Sequence, residues 1–197
     1  MRFPVGTGGK PRWLSWAPDE SALVAARNYY PSDDGDRIVV LNTDGTVRDV
    51  VTERGSRPDW CANGQIVLVQ YGEIRVAEPD GSLRGLTWRG GSEPSCSPHS
   101  RSVAFTRGGA IWTIPLAGGR ARRLTKGYTP VWSPDGKQIA YLRDAPFAVE
   151  TVGETFVYRV GVRRLRVRKV SKSHVATDDP YTPESVMGID WRPLPRN

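Results

Sequence analysis

The sequence predicts an all-β chain built from stacked repeats, and three observations carry that expectation. Pro58, Pro94 and Pro130 recur every 36 residues. A fixed period of that size marks a supersecondary unit used repeatedly. One turn motif, best preserved as Trp132-Ser133-Pro134-Asp135-Gly136-Lys137, precedes a brief apolar run in each repeat. No stretch has the 3.6-residue apolar period of an amphipathic helix.

Each repeat opens on its turn. Pro134 fixes the φ angle of the turn's second residue, Asp135 can bond nearby backbone, and Gly136 takes the positive φ that ends it. The apolar run follows as Ala22–Ala25, Ile66–Val69, Val103–Phe105 and Ile139–Leu142. Runs this short and apolar on both faces predict strands covered on both sides. A second strand is expected at Arg37–Leu41, Glu73–Val76 and Ala110–Ile114. The dipeptides Asp44-Gly45, Asp80-Gly81 and Gly118-Gly119 then permit tight hairpins. Outer strands close the repeats at Val47–Thr52, Leu83–Thr87 and Arg122–Thr125.

Antiparallel units of this kind, repeated, fit the blades of a β-propeller. The chain reads as one domain over 1–197, with repeats at about 11–52, 57–87, 92–125 and 128–170. Four full blades and a terminal stub are expected, as a small four-to-five-bladed ring or an open arc. The stub is Ile189-Asp190-Trp191-Arg192-Pro193, a closing strand at 189–193 that resembles the start of a fifth copy. The fourth repeat carries an irregular extension over 144–190. Trp16, Trp60 and Trp132 precede equivalent turns and are expected in buried positions between blades, where an indole contributes a large apolar area. Arg2–Val5 and Ile189–Pro193 are expected to meet or to drive self-association, because an open arc exposes a strand edge and a blade face.

The repeat Trp132-Ser133-Pro134-Asp135-Gly136-Lys137, with Ile139-Ala140-Tyr141 after it, resembles the WD-like repeat of TolB-type β-propellers. Weaker copies cover nearly the whole chain. Trp16, Pro18 and Asp19 preserve parts of the first, Asn63 replaces the Asp in the second, and Cys96 stands at the Trp position of the third. The resemblance implies a protein-interaction platform without catalysis. It also leaves open an accessory propeller of a prolyl-oligopeptidase-type peptidase or a polysaccharide lyase.

Composition separates the remaining readings. The net charge of +7 is concentrated in the second half. Arg120, Arg122 and Arg123 form one basic group, and Arg163, Arg164, Arg166, Arg168 and Lys169 another. Alternating arginines on a strand line one face. They fit a patch for an anionic glycan or other polyanion, or a solvated edge whose charges discourage pairing. No apolar run is long enough for a transmembrane helix, so no membrane insertion is expected. Cytoplasmic location is expected if Met1 is the native start, and export if a leader has been removed.

Catalytic and metal signatures are thin. Cys61 and Cys96 are the only cysteines and are expected as reduced thiols. His99 and His174 share no ligand spacing with them, so no zinc site is expected. Asp33-Asp34-Gly35-Asp36 lacks the spacing of a calcium loop. No cofactor motif is present. Asp19 and Asp135, at matching turn positions, are the remaining carboxylate pair that a closed ring brings within reach of each other.

Overall fold

A computed structural model describes residues 11–27, 36–143, 154–159 and 167–172, the last two ranges as strand backbone. Fifteen strands and no helix occur among the described residues. They form four antiparallel four-strand units in chain order. The first contains β1 (Pro11–Trp16), β2 (Ala22–Arg27), β3 (Asp36–Asn42) and the start of β4 (Val47–Trp60). The end of β4 opens the second unit, which continues through β5 (Ile66–Gln70), β6 (Glu73–Ala77) and β7 (Leu83–Gly85). The third holds β8 (Ser92–Cys96), β9 (Ser102–Arg107), β10 (Ala110–Pro115) and β11 (Arg122–Lys126). The fourth holds β12 (Tyr128–Trp132), β13 (Gln138–Arg143), β14 (Glu154–Arg159) and β15 (Val167–Lys172).

The strand β4 departs from expectation. The sequence suggests an outer strand, a glycine link and a new inner strand, yet Val47–Trp60 runs on as one element shared by two units. Gly55 allows this. A Cβ there would lie 2.9 Å from Ile38 Cγ1 and 3.2 Å from the Val69 carbonyl oxygen, so only a bare α-carbon passes between the two units.

The turns follow from their residues. The Gly136 amide donates to the Ser133 carbonyl at 2.8 Å, and the Ser133 amide donates to the Gln138 carbonyl at 2.9 Å. Asp135 Oδ1 accepts from the Lys137 amide and from Ser133 Oγ. The same side-chain turn forms at Asp19, Asp44, Asn63 and Asp80, each accepting from the amide two residues on. An Asp or Asn side chain so placed mimics a backbone turn.

Packing runs between units, since one sheet cannot cover its own faces. Val24, Ile38 and Val40 of the first unit pack with Ile66 and Leu68 of the second. Val67, Ile74 and Val76 of the second pack with Val103, Phe105 and Ile114 of the third. Ala104 and Ile111 of the third pack with Trp132, Ile139 and Tyr141 of the fourth. Ala25, Val39 and Leu41 form a further buried cluster. Their alternation with Val24, Ile38 and Val40 puts them on the opposite face of the first unit.

Two expectations need correction here. Trp132 is 8% exposed and Trp60 is half-buried, but Trp16 is 51% exposed. The reason lies in direction. The Trp132 indole Nε1 donates to the Ser95 carbonyl of the preceding unit at 3.2 Å, and Trp60 packs on the core shared with the preceding unit. Trp16 belongs to the first unit, and no described unit precedes it. The cysteines are also not free thiols: Cys61 and Cys96 form a disulfide with their α-carbons 5.4 Å apart. Cys96 occupies the tryptophan position of the third unit. The interface between units two and three is therefore closed by a covalent link where its neighbours use an indole.

Gly55, Gly91 and Gly127 recur every 36 residues at the entry to inner strands. At Gly127, φ is 147°, and a Cβ would press on Tyr141 Cδ2 and lie 2.7 Å from the Leu142 carbonyl oxygen. Gly127→Ala should cost about 2–3 kcal/mol, within the range for overpacking a dense interior. Gly81→Ala meets no atom within 4 Å at φ 85°, so it should cost only the left-handed penalty of about 1 kcal/mol. Equal losses in chemical denaturation would show that the packing at Gly127 is not the constraint.

Candidate functional site

Inner strands β1, the end of β4, β8 and β12 lie side by side and share one irregularity. Pairing with the next strand slips between Arg12 and Ser15, Ser56 and Asp59, Ser92 and Ser95, and Tyr128 and Val131. Each slip is a β-bulge around one residue in the left-handed region: Trp13 (φ 49°), Arg57 (φ 50°), Glu93 (φ 54°) and Thr129 (φ 51°). A bulge bends the strand and re-aims a side chain. In the last three units a buried proline follows, Pro58, Pro94 or Pro130. Proline has no amide hydrogen for the interrupted ladder to lose.

The bulges bring their side chains to one cavity of about 460 Å³. Its walls include Trp13, Ser15, Arg57, Asp59, Glu93 and Thr129, all from inner strands. The backbone is the same in all four units, while the residue offered is aromatic, cationic, anionic or hydroxylic.

Two carboxylates in the cavity wall join consecutive units. Asp59, in the second unit, accepts from Ser15 Oγ of the first at 2.9 Å and from the Cys96 amide of the third at 2.7 Å. Ser15 Oγ in turn accepts from the Trp60 amide at 3.0 Å. Glu93, in the third unit, accepts from Arg57 Nη1 of the second at 3.0 Å. It also accepts from the Thr129 amide and Thr129 Oγ1 of the fourth, at 2.9 and 3.1 Å, and from its own unit's Thr106 Oγ1 at 2.7 Å. The Arg57 guanidinium lies 5.1 Å from the centre of the Trp13 ring, which adds a cation–π contact between units one and two. Burial raises the Asp59 pKa above the ordinary 3.8, opposed first by the bond from the Cys96 amide and then by that from Ser15.

The residues expected to matter from sequence are dispersed. Asp19 and Asp135 are exposed and each serves its own turn; the Ser21 hydroxyl holds the Asp19 pKa down, and the Ser133 hydroxyl that of Asp135. Pro18 and Pro134 are exposed turn residues. His99 is exposed at its own turn, against which a Cβ on Gly136 would lie 3.4 Å from His99 Cδ2. Arg120, Arg122 and Arg123 are exposed, the latter two on β11, the edge strand of its sheet. Arg168 and Lys169 lie on β15, also an edge strand. Arg163, Arg164, Arg166, His174, Trp191, the segments Arg2–Val5 and Ile189–Pro193, and Asp33–Gly35 lie outside the described residues. No group of three or more metal-binding side chains occurs among the described residues, and no described helix is long and apolar enough to cross a membrane.

The cavity residues Trp13, Arg57, Asp59, Glu93 and Thr129 were not singled out by sequence reasoning. The signal was available: Arg57, Glu93 and Thr129 share the 36-residue spacing and each precedes one of the repeated prolines.

Solved structures resemble this fold closely. TolB from Acinetobacter baumannii superposes with a TM-score of 0.65 at 18% identity, covering 81% of this chain and 43% of that one. A protein described as TolB from Agrobacterium tumefaciens superposes with a TM-score of 0.69 at 15% identity, covering 84% and 67%. A gluconolactonase from Xanthomonas campestris gives 0.60 at 17% identity, covering 83% and 62%. The chain thus spans less than half the length of the Acinetobacter protein. No family model and no curated protein matches the sequence. The fold is that of a TolB-type β-propeller, all-β and antiparallel.

Asp59→Ala leaves the Cys96 amide without its acceptor and should cost about 1–3 kcal/mol at neutral pH. The pH dependence has a defined sign. With its folded pKa raised, Asp59 contributes stability that is fully present below the ordinary 3.8 and is lost as pH rises through the raised value. The parent's advantage over Asp59→Ala should therefore widen as pH falls from 7 towards about 4. Denaturant titrations that show it shrinking would refute the assignment.

Proposed function

We propose that this chain is a non-enzymatic binding platform whose inner-strand cavity receives a segment of a partner protein. The observation that carries this reading is the repeated bulge. It holds one backbone geometry in four units while presenting Trp13, Arg57, Glu93 and Thr129 to one cavity. A scaffold that keeps its backbone and varies one side chain separates support from recognition. The cavity also offers the mixture found at recognition sites: an aromatic face, a guanidinium, carboxylates and hydroxyls.

The carboxylates fit this role better than catalysis. Asp59 and Glu93 each accept bonds from neighbouring units, so both are committed to structure. A general acid or base needs a proton-transfer partner within reach and a pKa suited to exchange. The likeness to a gluconolactonase is one of fold, and it makes a sugar-lactone hydrolase the specific rival to exclude. Arg122 and Arg123 on edge strand β11 read as charges that resist edge pairing. The disulfide suits an oxidising compartment. The reading takes residues 1–197 as one domain.

The test is site-directed photo-cross-linking in the native host. A photoreactive residue at Leu14, exposed in the cavity wall, should capture a defined protein. The same probe at Val47, exposed on an outer strand, should not. Purified chain should show no hydrolysis of glucono-lactone. Hydrolysis abolished by Glu93→Gln would overturn the reading in favour of an enzyme.

A further inference from the structure

A second cluster of exposed side chains lies outside the cavity, on the β5–β6 turn and on the link between β7 and β8. Trp88 is 80% exposed and Tyr71 is 72% exposed, the two most exposed large hydrophobic residues among those described. Isolated exposed apolar residues are ordinary, but these two sit on segments in direct contact. The Gly91 amide donates to the Gly72 carbonyl at 2.9 Å, which holds the Tyr71-Gly72 turn against the Trp88–Gly91 link. Trp88 rests on bare backbone: a Cβ on Gly85 would lie 3.4 Å from its Cη2. The ring is supported on one side and open on the other.

The same link anchors an arginine. Arg107 Nε donates to the Gly90 carbonyl at 2.9 Å. Its guanidinium carbon lies 4.9 Å from the centre of the Phe105 ring and 5.3 Å from that of Trp112. The Trp112 indole donates to the Arg107 carbonyl at 3.1 Å, which fixes the second ring. A guanidinium immobilised by its Nε and by two rings keeps its terminal nitrogens for an incoming acceptor. Arg89, one residue from Gly90, is exposed. Burial first, and then the Arg89 charge, lower the Arg107 pKa. Two positive charges are thus held close enough to repel. These two guanidiniums give the cluster its positive charge.

We propose that Tyr71, Trp88, Arg89 and Arg107 form a second binding site, which takes an acidic protein segment carrying aromatic or proline side chains. Its carboxylates pair with the two guanidiniums, in the fork geometry that arginine offers such groups. Its planar or apolar side chains lie on Trp88 and Tyr71. A neutral saccharide can stack on the two rings but carries no anionic group to pair with the two guanidiniums, so the charge favours the carboxylate-bearing segment. The site adjoins the cavity along the chain: Gly91 is followed by Ser92 and Glu93, and Glu93 lines the cavity wall. This inference rests on the platform reading and names the chemistry of its partner.

The test uses a fluorescein-labelled peptide of Glu-Pro-Phe repeats, followed by anisotropy at about 0.1 M ionic strength, where exposed charges still act over about 10 Å. The parent chain should bind it saturably. Replacing every Glu with Gln should weaken binding about tenfold or more, and so should Trp88→Ser combined with Arg89→Gln, as is usual for truncating such anchors. Both positions are exposed, so the variant's thermal midpoint should match the parent's. Absence of saturable binding, equal affinity for the Gln peptide, or equal affinity in the variant each overturns the second site. Displacement of the peptide by heparin, with heparin binding more tightly and depending on the same two residues, overturns it in favour of a glycan. None of these outcomes changes the cross-link at Leu14, so failure of this site is distinguishable from failure of the cavity reading.

Discussion

The inner-strand bulge is the constraint on which the rest of the structure depends. Four non-glycine residues with φ near 50° are a costly arrangement, particularly for the β-branched Thr129. What stabilises it is visible around the last three. Pro58, Pro94 and Pro130 restrict the backbone that follows and remove an amide that the bulge would leave unpaired. Glycines at 55, 91 and 127 let the chain approach its neighbour closely before turning. The slip in register that results puts Asp59 and Glu93 where they can reach the units on either side. Without the bulge the strands would pair regularly, and neither carboxylate would be aimed across the interface.

The interfaces then differ in chemistry while obeying one direction. The residue before each turn reaches back to the preceding unit: Trp60 to the first, Cys96 to the second, Trp132 to the third. The Trp132 indole contributes dispersion and a directed hydrogen bond, whereas Trp60 contributes packing alone. A disulfide contributes mainly a constraint on the unfolded chain, worth about 3–4 kcal/mol for a loop of this separation by the chain-entropy argument. Substituting one for the other trades apolar area for a covalent tie and ties the protein's stability to its redox surroundings. Arg84 adds a polar link at the same interface, donating to the Leu116 carbonyl of the third unit at 2.7 Å.

Much of the fold was legible because the turn motif is local chemistry. Asp135-Gly136, Asp80-Gly81 and Asp44-Gly45 announce turns by residue type alone, and the strands between them follow. The fate of Cys96 was not legible from local rules. Its pairing with Cys61 depends on which way the tryptophan position faces, a property of the assembled units. Trp16 misled for the same reason: its position in the motif is right, but burial there is supplied by a preceding neighbour. The cavity was the least legible part. Nothing in Arg57, Glu93 or Thr129 as residue types suggests a left-handed bulge, and each resembles a surface residue until the repeats are stacked. The exposed Trp88 lies in a link with no motif of its own, so only its surroundings give it meaning.

On the proposed platform reading, the cavity carboxylates that hold the units together also shape the surface offered to a partner. Rigidity and recognition therefore share the same atoms. Amide hydrogen exchange at Cys96 and Thr129 tests this most directly. Both amides donate to side-chain carboxylates of another unit. The account predicts that they exchange as slowly as Ala104 and Phe105 in the buried strand β9, opening only when the units part. Exchange as fast as at the exposed turn residues Asp80 and Asp135 would contradict the claim that Asp59 and Glu93 join the units.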